Sequence, residues 1–215
     1  MKFTVAFPMF EPSHFLPMAR AAEECGFDSI AVPDSVFFPQ EVSAPYPYTK
    51  DGARFWAPET PFVDPFVAMP AMAAVTERIG FYTNVVKLPL RHPLLVAKQV
   101  ASIASMFEGR LMLGVGLSWI PEEFAWLHTE KRTRGARTDE AIEIIRAVCK
   151  GGFVEFHGQH YDFGPLIVSP TPKQPVPIWV GGHSEPALKR ASERGDGWIS
   201  VNVTTAEIET SIATL

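Results

Sequence analysis

Little in this sequence points to covalent or metal staples. Cysteine occurs only twice, at Cys25 and Cys149, and both lie in helical patterns with no redox or metal spacing, which excludes a disulfide framework and a cysteine-rich metal site. They read as reduced, buried thiols of a cytoplasmic protein. Neither sign of charge dominates: Asp+Glu 24 against Lys+Arg 19 leaves a net -5, which argues against an electrostatic grip on nucleic acid or an anionic membrane. No apolar run approaches the length of a membrane span. The N-terminal Met-Lys-Phe-Thr-Val-Ala-Phe enters strand-like alternation directly, so secretion and membrane insertion are not expected. What is there is a chain of 215 residues, 47% hydrophobic and 20% charged. That is enough for one domain with a sizeable core and small-molecule partners.

Along the chain, strand patterns alternate with helix patterns. Strands are expected over 2–7, 29–32, 79–86, 110–115, 178–180 and 197–201, and helices over 13–25, 64–76, 93–107, after a charged linker at 131–137 (with Ala141, Ile144, Ile145 and Val148 on one face), over 184–195 and from 205 onward. Gly26 and Gly109 read as helix stops, and Asp64-Pro65 as an N-cap with proline in the first turn. Pro70 is expected to kink that helix. Thr204-Thr-Ala-Glu207 reads as a capping box. Residues 36–63 form a long proline- and aromatic-rich segment without period, the kind of loop that carries function. Residues 153–163 alternate as a hairpin around Gly158, and 153–176 read as an insertion into a single domain covering 1–215.

Strands alternating with helices imply parallel βαβ units. An open dinucleotide-binding sheet calls for a glycine-rich turn after its first strand, and the turn here, Phe7-Pro-Met-Phe-Glu-Pro, has no glycine. A (β/α) barrel is therefore expected, with ligand groups at the C-terminal strand ends, although only about six of the eight core strands are visible. From 177 to 198 the pattern is strand, turn and helix. Gly181-Gly182 allows the backbone to turn sharply and approach a ligand. His183 and Ser184 open the next helix, whose free N–H groups and dipole suit an anion such as a phosphate. A tight loop that binds nothing fits the same residues.

Several motifs in order carry a resemblance: Val32-Pro-Asp34, Thr83-Asn-Val with Arg91-His-Pro93, Gly109-Arg-Leu-Met-Leu-Gly-Val-Gly116, Thr138-Asp-Glu-Ala-Ile, and Val180-Gly-Gly with Gly195-Asp-Gly-Trp198. Together they resemble the bacterial luciferase-like monooxygenase family, and more narrowly its deazaflavin-dependent oxidoreductase branch. The resemblance implies a (β/α)8 TIM barrel of the luciferase-like type, with the last strands missing or reduced in this chain. It implies coenzyme F420, or alternatively FMN, at the C-terminal rim. The activity implied is hydride transfer between reduced F420 and a small organic substrate; an oxygen-using FMN monooxygenase and a noncatalytic flavin-binding relative are the alternatives.

By the same resemblance, Gly181, Gly182, His183 and Ser184 match the phosphate turn, and Thr83 and Asn84 the third-strand bulge with a non-prolyl cis peptide that backs the ring. Gly114 and Gly116 permit close approach, and Asp34 contacts the ring's polar edge. Ser35 stands where the branch commonly has histidine, so Asp34 and Ser35 are the catalytic candidates and the proton donor is open. A homodimer is implied, formed through helices that include parts of 64–76 and 93–107. An open barrel would leave edges near 2–7 and 197–201, to be closed by residues beyond Leu215 or by a partner.

Other residues read as ordinary. Glu122 and Glu123 could serve as acid–base groups, but two acids opening a helix better suit dipole-compensating surface positions. His157 and His160 lack a third metal ligand and read as solvent-facing, so no metal is expected. Tyr46, Tyr48, Phe55 and Trp56 suit either a substrate pocket or a loop packed on itself, and Trp119 a pocket wall.

Overall fold

The structure, a computed structural model, describes residues 1–7 and 9–215; Pro8, in the glycine-free turn, lies outside them. Six strands make the main parallel sheet: β1 (Thr4–Ala6), β2 (Ser29–Val32), β3 (Gly80–Thr83), β5 (Leu111–Gly116), β8 (Ile178–Gly181) and β9 (Gly197–Ile199), in that spatial order. The two-residue β4 (Val86–Lys87) continues the line of β3 and pairs with the far end of β5. Every pairing in this sheet is parallel, as crossovers through helices require. The six expected core strands are all present, curled into part of a barrel, with β1 and β9 at its edges.

Helices α1 (Phe15–Glu24), α2 (Pro65–Ala73), α3 (Pro93–Met106), α5 (Arg134–Lys150) and α6 (Glu185–Arg194) follow the strands, with the short α4 (Pro121–Trp126) after β5 and α7 (Thr205–Thr214) at the end. Local chemistry sets their bounds. Asp64 caps α2 by accepting the Phe66 N–H at 2.8 Å, and Pro70 lies inside the helix. Thr204 and Glu207 form the reciprocal capping box of α7, which satisfies two otherwise orphaned donors. Residues 131–137, read from sequence as a linker, are a 3-10 turn running into the first turn of α5.

The core lies between the sheet's outer face and the helices. Phe81, Leu111, Leu113, Val115, Ile178 and Val180 point outward from the strands against Met69, Met72, Val96, Val100, Ile144 and Ile145. Their strand partners at alternate positions, Tyr82 and Trp179, meet on the other face with ring centroids 5.4 Å apart. The hairpin is β6 (Val154–His157) with β7 (Asp162–Leu166), antiparallel. Glu140 of α5 holds its turn by accepting the N–H groups of Gln159, His160 and Tyr161. Of the cysteines, Cys149 is partly buried, and burial pushes its thiol up to about 11. Cys25 departs from the sequence expectation: it is exposed, because it sits at the C-cap of α1, past the last buried position, Ala22.

Candidate functional site

The parallel register brings the C-terminal ends of β2, β3, β5 and β8 to one edge, and the sequence candidates go with them. Val32 pairs with Thr83, Gly114 with Trp179, and Gly181 with Ile199. Asp34 and Ser35 follow β2, Asn84 follows β3, and His183 and Ser184 follow β8.

At the third strand the Asn84–Val85 peptide is cis, and the strand breaks there between β3 and β4. The glycines around it have steric reasons of their own. A Cβ on Gly114 would stand 1.9 Å from the Thr83 carbonyl oxygen, one on Gly116 2.5 Å from Val85 Cγ2, and one on Gly181 3.0 Å from Val85 Cγ1. Three glycines on the neighbouring strands therefore make the space that the β3 break and the Val85 side chain occupy. The Thr83 hydroxyl is fully buried and donates to the Gly114 carbonyl at 2.6 Å; it ties β3 to β5 and does not face the rim.

The turn after β8 is built from below. Gly182 has φ +121°, a region that excludes side-chain-bearing residues in practice, and its carbonyl accepts the Trp198 indole N–H at 2.7 Å. Asp196 accepts the Ile178 N–H and pairs with Arg146, which fixes the Gly-Asp-Gly-Trp segment beneath the turn. The His183 ring accepts the Val201 N–H through Nε2 at 3.1 Å. Burial lowers the His183 pKa, against a partly offsetting pull from Glu207, in keeping with an Nε2 that accepts. Ser184 is the N-cap of α6 but its hydroxyl makes no cap bond, and the N–H groups of His183 and Ser184 have no backbone partner among the described residues.

Asp34 is enclosed. Its side chain has 0% exposure; Oδ1 accepts from Arg91 Nη2 at 2.8 Å and Oδ2 from the Lys87 N–H at 3.0 Å. Arg91 also pairs with Asp64 at 3.0 Å. Burial works against the Arg91 charge, and the two carboxylates outweigh it, raising its pKa. Asp34 thus has a structural load that the sequence did not reveal.

One functional candidate, Lys87, escaped the sequence reading, and a second, Glu123, was set aside by it as a surface residue. Lys87 is buried, and its Nζ lies 2.5 Å from Glu123 Oε1 and 3.5 Å from Ser35 Oγ. Glu123 has no exposure at all, and Ser118 Oγ donates to its Oε2 at 2.5 Å. The expectation that Glu123 is a surface residue fails because Pro121 starts α4 with this side chain turned inward, onto a lysine 36 residues earlier. The available signal was a lysine closing an apolar strand-to-turn run. Glu122 does face the loop side and accepts the Ser43 N–H at 3.0 Å. His157 is exposed and bonds Asp162 at 2.6 Å; among the described residues no group of three His, Cys, Asp or Glu is placed to hold a metal.

The long loop, 36–63, folds over this edge. Tyr46 packs edge-on against Trp56 (4.9 Å between centroids), Tyr48 (5.5 Å) and Trp119 (5.4 Å), and Tyr48 against His183 (5.6 Å). Its aromatics therefore both pack on each other and reach across to the ends of β5 and β8.

A curled parallel sheet jacketed by helices, with its polar and glycine-rich residues gathered at the C-terminal strand ends, defines the (β/α) barrel class of ligand-binding proteins. Within that class the chain belongs to the luciferase-like monooxygenase family, whose model matches residues 4–215. It is 44% identical over 199 residues to an uncharacterised protein of Mycobacterium tuberculosis, covering 93% of this chain and 69% of that one. It is 32% identical over 198 residues to an F420-dependent glucose-6-phosphate dehydrogenase of Nakamurella multipartita, covering 90% of this chain and 53% of the relative. Among solved structures, the monooxygenase RslO1 from Streptomyces bottropensis superposes with TM-score 0.80 at 24% identity, over 100% of this chain and 64% of that one. The chain thus spans about half to two thirds of these relatives.

Proposed function

We propose that the protein is an oxidoreductase that binds coenzyme F420 and uses it in hydride exchange with a small organic substrate. The observation that carries this reading is the turn Gly182–Ser184, with two N–H groups free of backbone partners, an unused Ser184 hydroxyl and the positive end of the α6 dipole, a combination suited to a phosphate. The residues present fit such a group: an anion meets donors and no carboxylate of the turn itself. Kinship at 32% identity with an F420-dependent dehydrogenase supports the deazaflavin over FMN. Gly181, Gly182, His183 and Ser184 would hold the phosphate. Asn84 and Val85, seated by Gly114 and Gly116, would back the ring, with Ser35 at its polar side and Asp34 behind it, holding Arg91 and the Lys87 N–H.

When bound, the reduced deazaflavin supplies the hydride. This chain's residues bind and orient it. Trp198 fixes the turn from below, Arg91 and Asp34 lock the strand end that carries Lys87, and the aromatics of the long loop keep water from the rim. A homodimer through α2 and α3 belongs to the same reading; Val67, Leu95 and Met106 on these helices are exposed, and light scattering tests it.

The test is anaerobic. Purified protein with reduced F420 and a panel of small alcohols, aldehydes and ketones is followed by the return of the oxidised-deazaflavin absorbance. Cofactor oxidation that depends on substrate supports the reading. Turnover only with FMN and oxygen would shift the protein to the monooxygenase alternative, and tight F420 binding without turnover on any substrate would make it a carrier.

A further inference from the structure

Beyond cofactor binding, the rim contains a buried ionic pair that the functions assigned above leave unused. Lys87 Nζ and Glu123 Oε1 are 2.5 Å apart, with Lys87 8% and Glu123 0% exposed. Burying two charges is costly, and their mutual attraction repays that cost only where further hydrogen bonds satisfy both groups. The compensating bonds here go to hydroxyls at both ends: Ser35 Oγ is 3.5 Å from Lys87 Nζ, and Ser118 Oγ is 2.5 Å from Glu123 Oε2. Both serines are half-exposed, whereas the charged pair between them is sealed. Ser118 is held in position with φ +63° and also accepts the Ile120 N–H. Lys87 itself is anchored by its own N–H to Asp34, and Phe38 of the long loop covers its ammonium at 5.9 Å. The result is a continuous line, Ser35, Lys87, Glu123, Ser118, with open hydroxyls at its ends and ions in its middle.

We propose that this line is a proton relay, in which Ser35 delivers a proton to the substrate and Lys87 resupplies it. The proposal rests on the functional reading above. In the reducing direction a carbonyl carbon takes a hydride from the reduced deazaflavin, which is left oxidised, and the C=O π pair moves to oxygen. The Ser35 O–H bond breaks as its proton passes to that oxygen. A Lys87 N–H proton passes to the Ser35 oxygen and restores the hydroxyl, leaving a neutral amine beside Glu123. The amine regains its proton from solvent through Ser118 and Glu123. In the reverse direction an alcohol loses its proton along the same line. The substrate class is therefore a carbonyl compound or its alcohol, with the reacting oxygen set toward Ser35. Lys87 acts through Ser35 and is a positioning and supply residue; Ser35 touches the substrate.

The deciding variant is Lys87→Arg. Arginine keeps a cation against Glu123, so the buried carboxylate stays paired, but a guanidinium does not release its proton. The expected result is a folded protein with an unchanged F420 dissociation constant by fluorescence, an unchanged KM, and a kcat lowered about 100-fold, as loss of general acid–base assistance gives. Ser35→Ala is expected to lower kcat in the same way, with Ser35→Thr restoring it. A readout independent of turnover comes from the ε-carbon NMR signal of Lys87, identified by its disappearance in Lys87→Arg. It is expected to move in Ser35→Ala and in Glu123→Gln, the two contacts of Nζ. Full kcat in a folded Lys87→Arg that binds F420, or a Lys87 signal indifferent to both neighbours, overturns the relay alone. Failure of the unaltered protein to bind F420 overturns the functional reading and the relay with it.

Discussion

Replacing Asp34 with alanine tests how far the candidate site is also a structural joint. The side chain is completely enclosed and serves two donors, Arg91 Nη2 at 2.8 Å and the Lys87 N–H at 3.0 Å. Breaking a buried ion pair from one side costs about 3–5 kcal/mol because the remaining charge stays desolvated. Arg91 keeps Asp64 at 3.0 Å and is 19% exposed, which places the loss near the lower end. The stranded Lys87 N–H adds the cost of an unmade backbone bond, about 1–3 kcal/mol. The two together give about 4–6 kcal/mol, against a total stability of about 5–15 kcal/mol for an ordinary domain. At about 2–4 °C per kcal/mol for a chain of this size, the melting temperature is expected to fall by about 8–24 °C. Circular dichroism melts and guanidinium titration of the two proteins measure it. Asp34→Asn retains an acceptor for the Lys87 N–H and is expected to lose less. A melting temperature for Asp34→Ala within a degree or two of the unaltered protein refutes the reasoning, and would return Asp34 to a purely ligand-facing role.

Two further outcomes follow from residues whose contacts are with the backbone. Glu23 accepts the N–H groups of Glu77, Arg78 and Ile79, and although burial alone would raise its pKa, these bonds hold it at about 2 against an ordinary 4.5. A depressed carboxylate contributes stability above its unfolded value and loses it as pH falls through the folded one. Glu23→Gln should therefore be less stable at neutral pH and show a flatter stability profile between about pH 4.5 and 2 in denaturant titrations; equal stability at neutral pH would mean that the carboxylate does not hold the turn before β3. At Gly114, a Cβ 1.9 Å from the Thr83 carbonyl oxygen cannot be accommodated by a rotamer change, so Gly114→Ala should lose about 3 kcal/mol or more, and a melting temperature equal to the unaltered protein's would contradict the packing described here.

Much of the architecture was legible because it rests on local signals. The β2 strand at 29–32, the Asp64-Pro65 start of α2, the capping box at Thr204 and the hairpin around Gly158 each follow from a few adjacent residues, and each is where the pattern put it. The gathering of Asp34, Asn84, Gly116 and Gly182 at one edge follows from parallel strands alone. What the sequence concealed depends on distant partners. Glu123 looks like any acid at a helix start until Lys87 is brought to 2.5 Å. Asp34 looks ligand-facing until Arg91 and the Lys87 backbone claim both oxygens. Gly114, Gly116 and Gly181 invite a ligand explanation, while their nearest neighbours are Thr83 and Val85 of the adjoining strand. Cys25 has the neighbours of a buried residue, but lies past the last inward position of α1.

The central claim, that the turn from Gly182 to Ser184 receives the phosphate of coenzyme F420, meets its most direct test in a binding titration. Substitution at Gly182 is unsuitable, since φ +121° and Ala187 Cβ 3.0 Å from an added Cβ would strain the fold itself. Ser184→Asp keeps a good N-cap and adds a negative charge at the anion position. Fluorescence titration of the unaltered protein is expected to show saturable F420 binding at least about tenfold tighter than FMN, about 1.4 kcal/mol. Ser184→Asp is expected to weaken F420 binding by at least about the same factor with no fall in melting temperature. Unchanged F420 affinity in Ser184→Asp, or no saturable binding of F420 by the unaltered protein, would contradict it.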